Sequence, residues 1–294
     1  MGDHAMRQVL RLSALCGLLV GVMGPVQGAS AATPAAPSAG VPEVIQQPAG
    51  DLPAAETVFE RYIEAIGGRE KVFAIKNREV TGFYVGEPFE FRANVKMWWE
   101  EGGKFHQQVA EPAGLRFDLY ANGEYTWINL QDKPPSLLAG LQRIELLDTA
   151  DVHGEANYKE RYKELTTAGR AKADGKPVIV VKAVTHSGRP HMHFFDEESG
   201  LLVGTRVPTL GPGGKVREMM LRLAEYKDFG GVLYPTRLEQ TFANAETVNA
   251  FIYQDVRVNV AEPHDFTVPT SVIEEFKAAL EKAAEEPGAD ASGG

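Results

Sequence analysis

At 294 residues and 44% hydrophobic, the chain is long enough for one or two domains with a real core. Its formal net charge of -10 and pI near 5.3 exclude a general nucleic-acid binder, which needs concentrated positive charge to track phosphates.

Residues 1–31 read as an export signal. Arg7 and Arg11 form a weakly basic start, residues 12–23 are apolar, and Ala29-Ser30-Ala31 offers a small-residue cleavage site. The apolar run is too short to cross about 30 Å of hydrocarbon comfortably, so the processed chain is not expected to be an integral membrane protein. Cys16, the only cysteine, lies inside that run behind Leu15, which disfavours lipidation and leaves no disulfide framework. Residues 32–50, rich in Ala and Pro, read as a flexible linker.

The folded region is expected over 51–284 as a single domain, with a disordered tail at 285–294. A helix is predicted over 54–66, where Ala55, Val58, Phe59, Tyr62, Ile63 and Ile66 share a face and Gly67-Gly68 stops it. From Ile75 the period changes to two. Residues 80–85 read as a first strand. Phe89, Phe91, Ala93, Val95, Met97 and Trp99 then line one face of a long strand, with Trp98 the exception to the alternation. Phe105 and Val109, then Leu115, Phe117 and Leu119, mark the next two strands, and Asn122-Gly123 signals a hairpin. After Pro134-Pro135 a second amphipathic helix is predicted over 136–148, with Leu137, Leu138, Leu141 and Ile144 on its apolar stripe. The helical insertion is expected to span about 136–167. Residues 177–184 form a dense strand, and 191–258 read as an antiparallel meander containing Met219, Leu221 and Leu223 on one face. A charged helix closes the fold at 271–284. The sum is an α+β protein with about ten or eleven strands. A sheet so large is expected to curl and offer a concave apolar side to the helices.

Three stretches carry a family resemblance: ETVFERYIEAIGGREKVFAIKNREVTGFY (56–84), FFDEESGLLVGTRV (194–207), and YKDFGGVLYPTRLEQTF with FIYQDVRVNV and DFTVP (226–269). Over roughly 51–269 the chain resembles the periplasmic lipoprotein-carrier superfamily, typified by the outer-membrane lipoprotein chaperone and its mycobacterial lipid-carrying relatives. The resemblance implies a strongly curved antiparallel sheet forming an unclosed barrel, with helices packed on its concave side. It also implies a cavity for a lipid or acyl chain, a periplasmic location, and a membrane-bound or lipoprotein partner. The motifs are those of a fold, and no ligand residue is carried over from them.

Chemistry is sparse. His191 and His193 form an H-x-H pair, and on a strand both point to one side, as a two-ligand metal shelf requires. A third ligand would have to come from His106, His153, His186, His264, Asp196 or Glu197. No metal site is assigned on the pair alone. No G-x-S-x-G elbow or G-x-G-x-x-G loop is present, and no cofactor is expected. The apolar residues make the better site: Phe89, Phe91, Val95, Met97, Trp99, Phe105, Phe117, Leu119, Leu137, Leu138, Leu141, Ile144, Met219, Leu221 and Leu223 are the expected wall of a lipid-sized cavity. Arg92, Arg116, Arg206 and Arg217 are candidate anchors for a head group or an acidic partner near its rim. Lipid binding and shuttling between membranes is thus the leading expectation. The alternatives are a non-catalytic partner-binding or sensor domain and a metal-assisted hydrolase.

Overall fold

A computed structural model describes residues 44–45, 52–86, 91–112, 114–210, 215–242 and 248–285. The expected signal at 1–31, nearly all of the linker at 32–50, and the tail from 286 onward lie outside these residues.

The first helix, α1 (Ala55–Ala65), buries Ala55, Val58, Phe59, Tyr62 and Ile63, the face its 3.6-residue spacing announces. Phe59 is fully buried. It stacks on Tyr158 with centroids 4.8 Å apart and meets Phe195 edge-on at 5.0 Å. Replacing Phe59 by Ala is expected to cost about 3–5 kcal/mol, because the ring is enclosed on all sides and its neighbours can collapse only partly. The urea midpoint measures this, and an unchanged midpoint would refute the packing. Gly67 ends the helix at φ +134°, where a Cβ would lie 2.4 Å from the Gly231 carbonyl oxygen. That close approach lets the Leu233 N–H donate to the Ile66 carbonyl at 2.8 Å, tying the helix end to a strand hairpin.

A short α2 (Arg69–Phe73) follows, and then the sheet begins in earnest. Its strands are β1 (Val44–Ile45), β2 (Asn77–Gly86), β3 (Phe91–Glu100), β4 (Lys104–Ala110), β5 (Arg116–Asn122), β6 (Thr126–Leu130), β7 (Ser136–Leu137), β8 (Tyr162–Ala173), β9 (Lys176–Thr185), β10 (Pro190–Asp196), β11 (Leu202–Leu210), β12 (Val216–Phe229), β13 (Val232–Phe242) and β14 (Val248–Val258). Between β7 and β8 lie α3 (Gly140–Thr149), a 3-10 turn (Gly154–Asn157) and α4 (Tyr158–Arg161). The last helix, α5, spans Thr270–Glu285.

Among the described residues all 14 strands join one antiparallel sheet in the order β1-β8-β9-β10-β11-β12-β13-β14-β2-β3-β4-β5-β6-β7. Chain neighbours pair throughout, apart from the crossovers that set β14 beside β2 and β1 beside β8. The expected strongly curved sheet forming an unclosed barrel is corrected: the sheet is open, not closed into a barrel and not strongly curled. Closure needs the two edges to pair at a fixed shear. Here the edges are β1 and β7, each of two residues, and they do not pair with each other. Edges so short blunt further pairing without closure.

Two further expectations change. Residues 136–137 form a strand on β6, so the second helix begins only at Gly140 and buries Glu145 and Leu146 rather than a leucine stripe. The polar stretch from Tyr162 is a long strand, so the helical part between β7 and β8 ends at Arg161.

Helices α1, α3 and α4 pack on one face of the sheet, with the main core between them and Val80, Val95, Met97, Trp99, Phe105 and Leu119. Trp98, the odd residue in the β3 alternation, faces the other way. It stacks on His106, which stacks on Tyr120, which stacks on Trp127, at centroid spacings of 4.8, 4.0 and 4.8 Å. His264, from the segment after β14, covers Trp98 at 4.3 Å. The same segment leads into α5, where Phe276 meets Tyr125 and Glu275 accepts from the Leu137 N–H at 2.8 Å. The aromatic row therefore holds the C-terminal segment across the far face of β3 to β6.

Candidate functional site

Between the helices and the sheet lies a cavity of about 310 Å³. Its apolar wall comes from alternate residues of consecutive strands: Val80, then Met97 and Trp99, then Phe105 on one side, and Met219, Leu221 and Leu223, then Leu238, then Phe251 and Tyr253 on the other. Period-two alternation puts each set on one face, and antiparallel pairing sets them side by side. Tyr62 and Ile66 of α1 and Val72 of α2 contribute from the helical layer. Arg78 lies over the Trp99 ring at 4.1 Å and the Tyr234 ring at 4.9 Å, a guanidinium held by aromatic faces inside an otherwise apolar wall.

Another part of the lining is polar. Glu145 and Asp148 of α3, Arg161 of α4, Arg189 before β10, and His191 of β10 meet there. Arg189 donates from Nη1 to Asp148 Oδ2 at 2.6 Å and from Nη2 to the Pro208 carbonyl at 2.8 Å, and faces Glu145 Oε1 at 3.5 Å. Arg161 donates to the Asp148 carbonyl at 2.6 Å and pairs with Glu155 at 3.6 Å. These bonds tie α3 and α4 to the sheet. The indole N–H of Trp99 adds another, to the Thr149 carbonyl at 2.9 Å.

Burial governs the titration here. Loss of solvent pushes the Glu145 and Asp148 carboxyls up, against the pull of the neighbouring guanidiniums. It pushes His191 and His193 down to about 3, so both imidazoles are neutral near pH 7. The Tyr253 hydroxyl is raised to about 12 by burial.

Of the fifteen residues expected in the wall, Met97, Trp99, Phe105, Met219, Leu221 and Leu223 line the cavity. Val95, Phe117, Leu119 and Leu138 are buried in the surrounding core without lining it. Leu137, Leu141 and Ile144 are half-buried and away from it, because the helix starts late and turns Glu145 inward. Phe89 and the side chain of Phe91 lie outside the described residues. The sequence reading missed the β13 and β14 contribution, although Phe251 and Tyr253 carry the same period-two signal. None of Arg92, Arg116, Arg206 and Arg217 lines the cavity. Arg116 pairs with Asp118, Arg206 with Glu218, and Arg92 lies over Phe83, whereas Arg78, Arg161 and Arg189 line the cavity.

His191 and His193 do share a side of β10, with ring centroids 5.9 Å apart. None of the candidate third ligands joins them. His153 bonds the Ile75 carbonyl at 3.0 Å, Asp196 caps its own turn through Ser199, and Glu197 pairs with Arg170. His106 and His264 bond each other on the far face at 2.7 Å, and His186 is exposed. Among the described residues no group of three or more His, Cys, Asp or Glu side chains is arranged to hold a metal ion. No described helix is long and apolar enough to cross a membrane.

No known protein family and no curated protein matches the chain by sequence. Solved structures do match its fold. A LolA superfamily protein from Nitrosomonas europaea superposes with a TM-score of 0.51 at 14% identity, covering 74% of this chain and 99% of its own. An outer-membrane lipoprotein-sorting protein domain from Vibrio parahaemolyticus gives 0.52 at 14% identity, covering 78% and 99%. A DUF1329 family protein from Desulfovibrio piger gives 0.54 at 8% identity, covering 74% and 99%. The chain therefore shares the fold of the LolA superfamily protein and of the outer-membrane lipoprotein-sorting protein domain.

Proposed function

We propose that this protein binds a lipid or acyl chain in the cavity between its sheet and helices and carries it through the periplasm between membranes. The observation that carries the reading is the cavity itself: about 310 Å³, walled by Met97, Leu221, Leu223, Leu238 and Phe251. An engineered cavity of about 150 Å³ holds one benzene, so this one has room for about twelve carbons, a single chain. Each methylene moved out of water contributes about 0.8 kcal/mol, roughly 10 kcal/mol for twelve before the costs of association. Binding of that kind needs no catalytic group. Fold likeness to a lipoprotein-sorting domain supports the same reading. So does the export signal read at 1–31, which directs a single domain at 51–284 out of the cytoplasm.

Native mass spectrometry of freshly purified protein, followed by organic extraction, tests this. A reproducible bound lipid, or uptake of one when offered, is the expected result. Leu221→Trp, which fills the cavity from β12, is expected to lower uptake at least tenfold with the thermal midpoint held within a few degrees. A clean protein mass with no uptake from any lipid would overturn the proposal.

A further inference from the structure

The polar part of the cavity is more than a set of ties between helices and sheet. Four of the residues that meet there carry a buried polar atom with no hydrogen-bond partner: Glu145 Oε2, Arg161 Nε, Arg189 Nε and His191 Nε2. Glu145 is 3% exposed and His191 6%. Native interiors rarely leave such atoms unmatched, since a buried polar group without a partner has lost its water for nothing. They offer both kinds of partner. The Arg189 and Arg161 Nε–H groups donate and Glu145 Oε2 accepts. His191 Nδ1 stands 3.3 Å from Tyr162 Oη, which leaves Nε2 as its free nitrogen. Thr205, Leu221 and Gln240 of the lining stand in one cross-strand row over β11, β12 and β13, so polar and apolar lining adjoin.

The charges at this end are already matched. Arg189 faces Glu145 and Asp148, and Arg161 faces Glu155, with Asp151 also on the wall. An added anion would meet carboxyls whose ionisation burial already opposes. An added cation would meet Arg161 and Arg189, beside an imidazole that burial and those same guanidiniums keep neutral. A neutral group with both donors and acceptors meets neither objection.

We propose that the cavity selects an amphiphile with an uncharged hydroxyl- or amide-bearing head, held at the Glu145–Arg189–His191 end while one chain fills the apolar part. This rests on the reading that the cavity takes a lipid. The test is competitive uptake at pH 7 by native mass spectrometry, using the whole protein and four probes of similar chain length: 1-monolauroylglycerol, dodecanoate, dodecyltrimethylammonium and dodecane. Monolauroylglycerol is expected to bind at least tenfold more tightly than each of the others. His191→Phe is expected to cut that preference severalfold while dodecane uptake persists, and Gln240→Leu, on the sheet wall, is a second variant should the first not fold. Equal uptake of all four, or preference for a charged probe, would overturn the head-group proposal and leave the lipid reading standing. No uptake of any probe would overturn the lipid reading itself.

Discussion

Lowering the pH from 7 to 5 is expected to remove roughly 4 kcal/mol of stability, a large part of the 5–15 kcal/mol typical of a folded domain. The cause is the buried pair His191 and His193. Burial holds both near pKa 3 in the folded protein, against an ordinary value near 6.5. Below pH 6.5 the unfolded chain takes up protons that the folded chain refuses, so stability falls as pH falls, through the whole window down to about 3. At pH 5 each histidine accounts for roughly 2 kcal/mol. His264, lowered to about 4 by burial and by His106 beside it, adds to the same trend from the far face. Glu145 and Asp148 work in the opposite sense, since burial raises their carboxyls and their protonation on the way down in pH favours the fold, which offsets part of the histidine effect. Denaturant midpoints at pH 7, 6 and 5 measure the effect. His193→Gln is expected to flatten the slope by about one proton. A midpoint independent of pH between 7 and 5 would show that these imidazoles are not held neutral by the fold.

Gly82→Ala is expected to destabilise the protein by about 3 kcal/mol, although it adds one methyl group. Gly82 lies mid-strand in β2 opposite Tyr253, next to the register shift between Tyr253 and Asp255 in β14. A Cβ there would stand 2.1 Å from the Ile252 carbonyl oxygen and 3.0 Å from Tyr253 Cα. These are backbone atoms of the neighbouring strand, and no side-chain rotation relieves them. The seam between β14 and β2, which joins the C-terminal meander to the N-terminal strands, would have to open. Thermal unfolding of the variant decides the matter, and a midpoint within a degree or two of wild type would mean that the seam is looser than the pairing indicates.

Much of the fold was legible in the residues. The helix face of Val58, Phe59, Tyr62 and Ile63 is buried as its spacing requires, and the meander from β10 to β14 pairs neighbour to neighbour. Six of the expected wall residues line the cavity because strict alternation leaves Met97, Trp99, Phe105, Met219, Leu221 and Leu223 little choice of side. The misses have physical causes. Leu137, Leu138, Leu141 and Ile144 look like a helix stripe, but Ser136–Leu137 pairs with β6, a long-range hydrogen-bonding choice that local periodicity cannot see. The arginines of the cavity escaped notice because a guanidinium inside is recognised only by its partners. Arg189 finds Asp148 and Glu145 on a helix some forty residues earlier, and Arg78 finds its two rings on β3 and β13.

The sequence by itself determined the α+β class, the order and most of the bounds of the elements, and which side of each strand is apolar. These follow from backbone periodicity and turn chemistry, which act over a few residues. Only the tertiary structure decided that the sheet stays open, that β14 closes against β2, that Trp98 belongs to a stacked row under the C-terminal segment, and that polar atoms without partners adjoin an apolar cavity. Each of those depends on groups far apart in the chain being brought within a few ångströms, and an alternation pattern carries no record of which distant partner a face will meet.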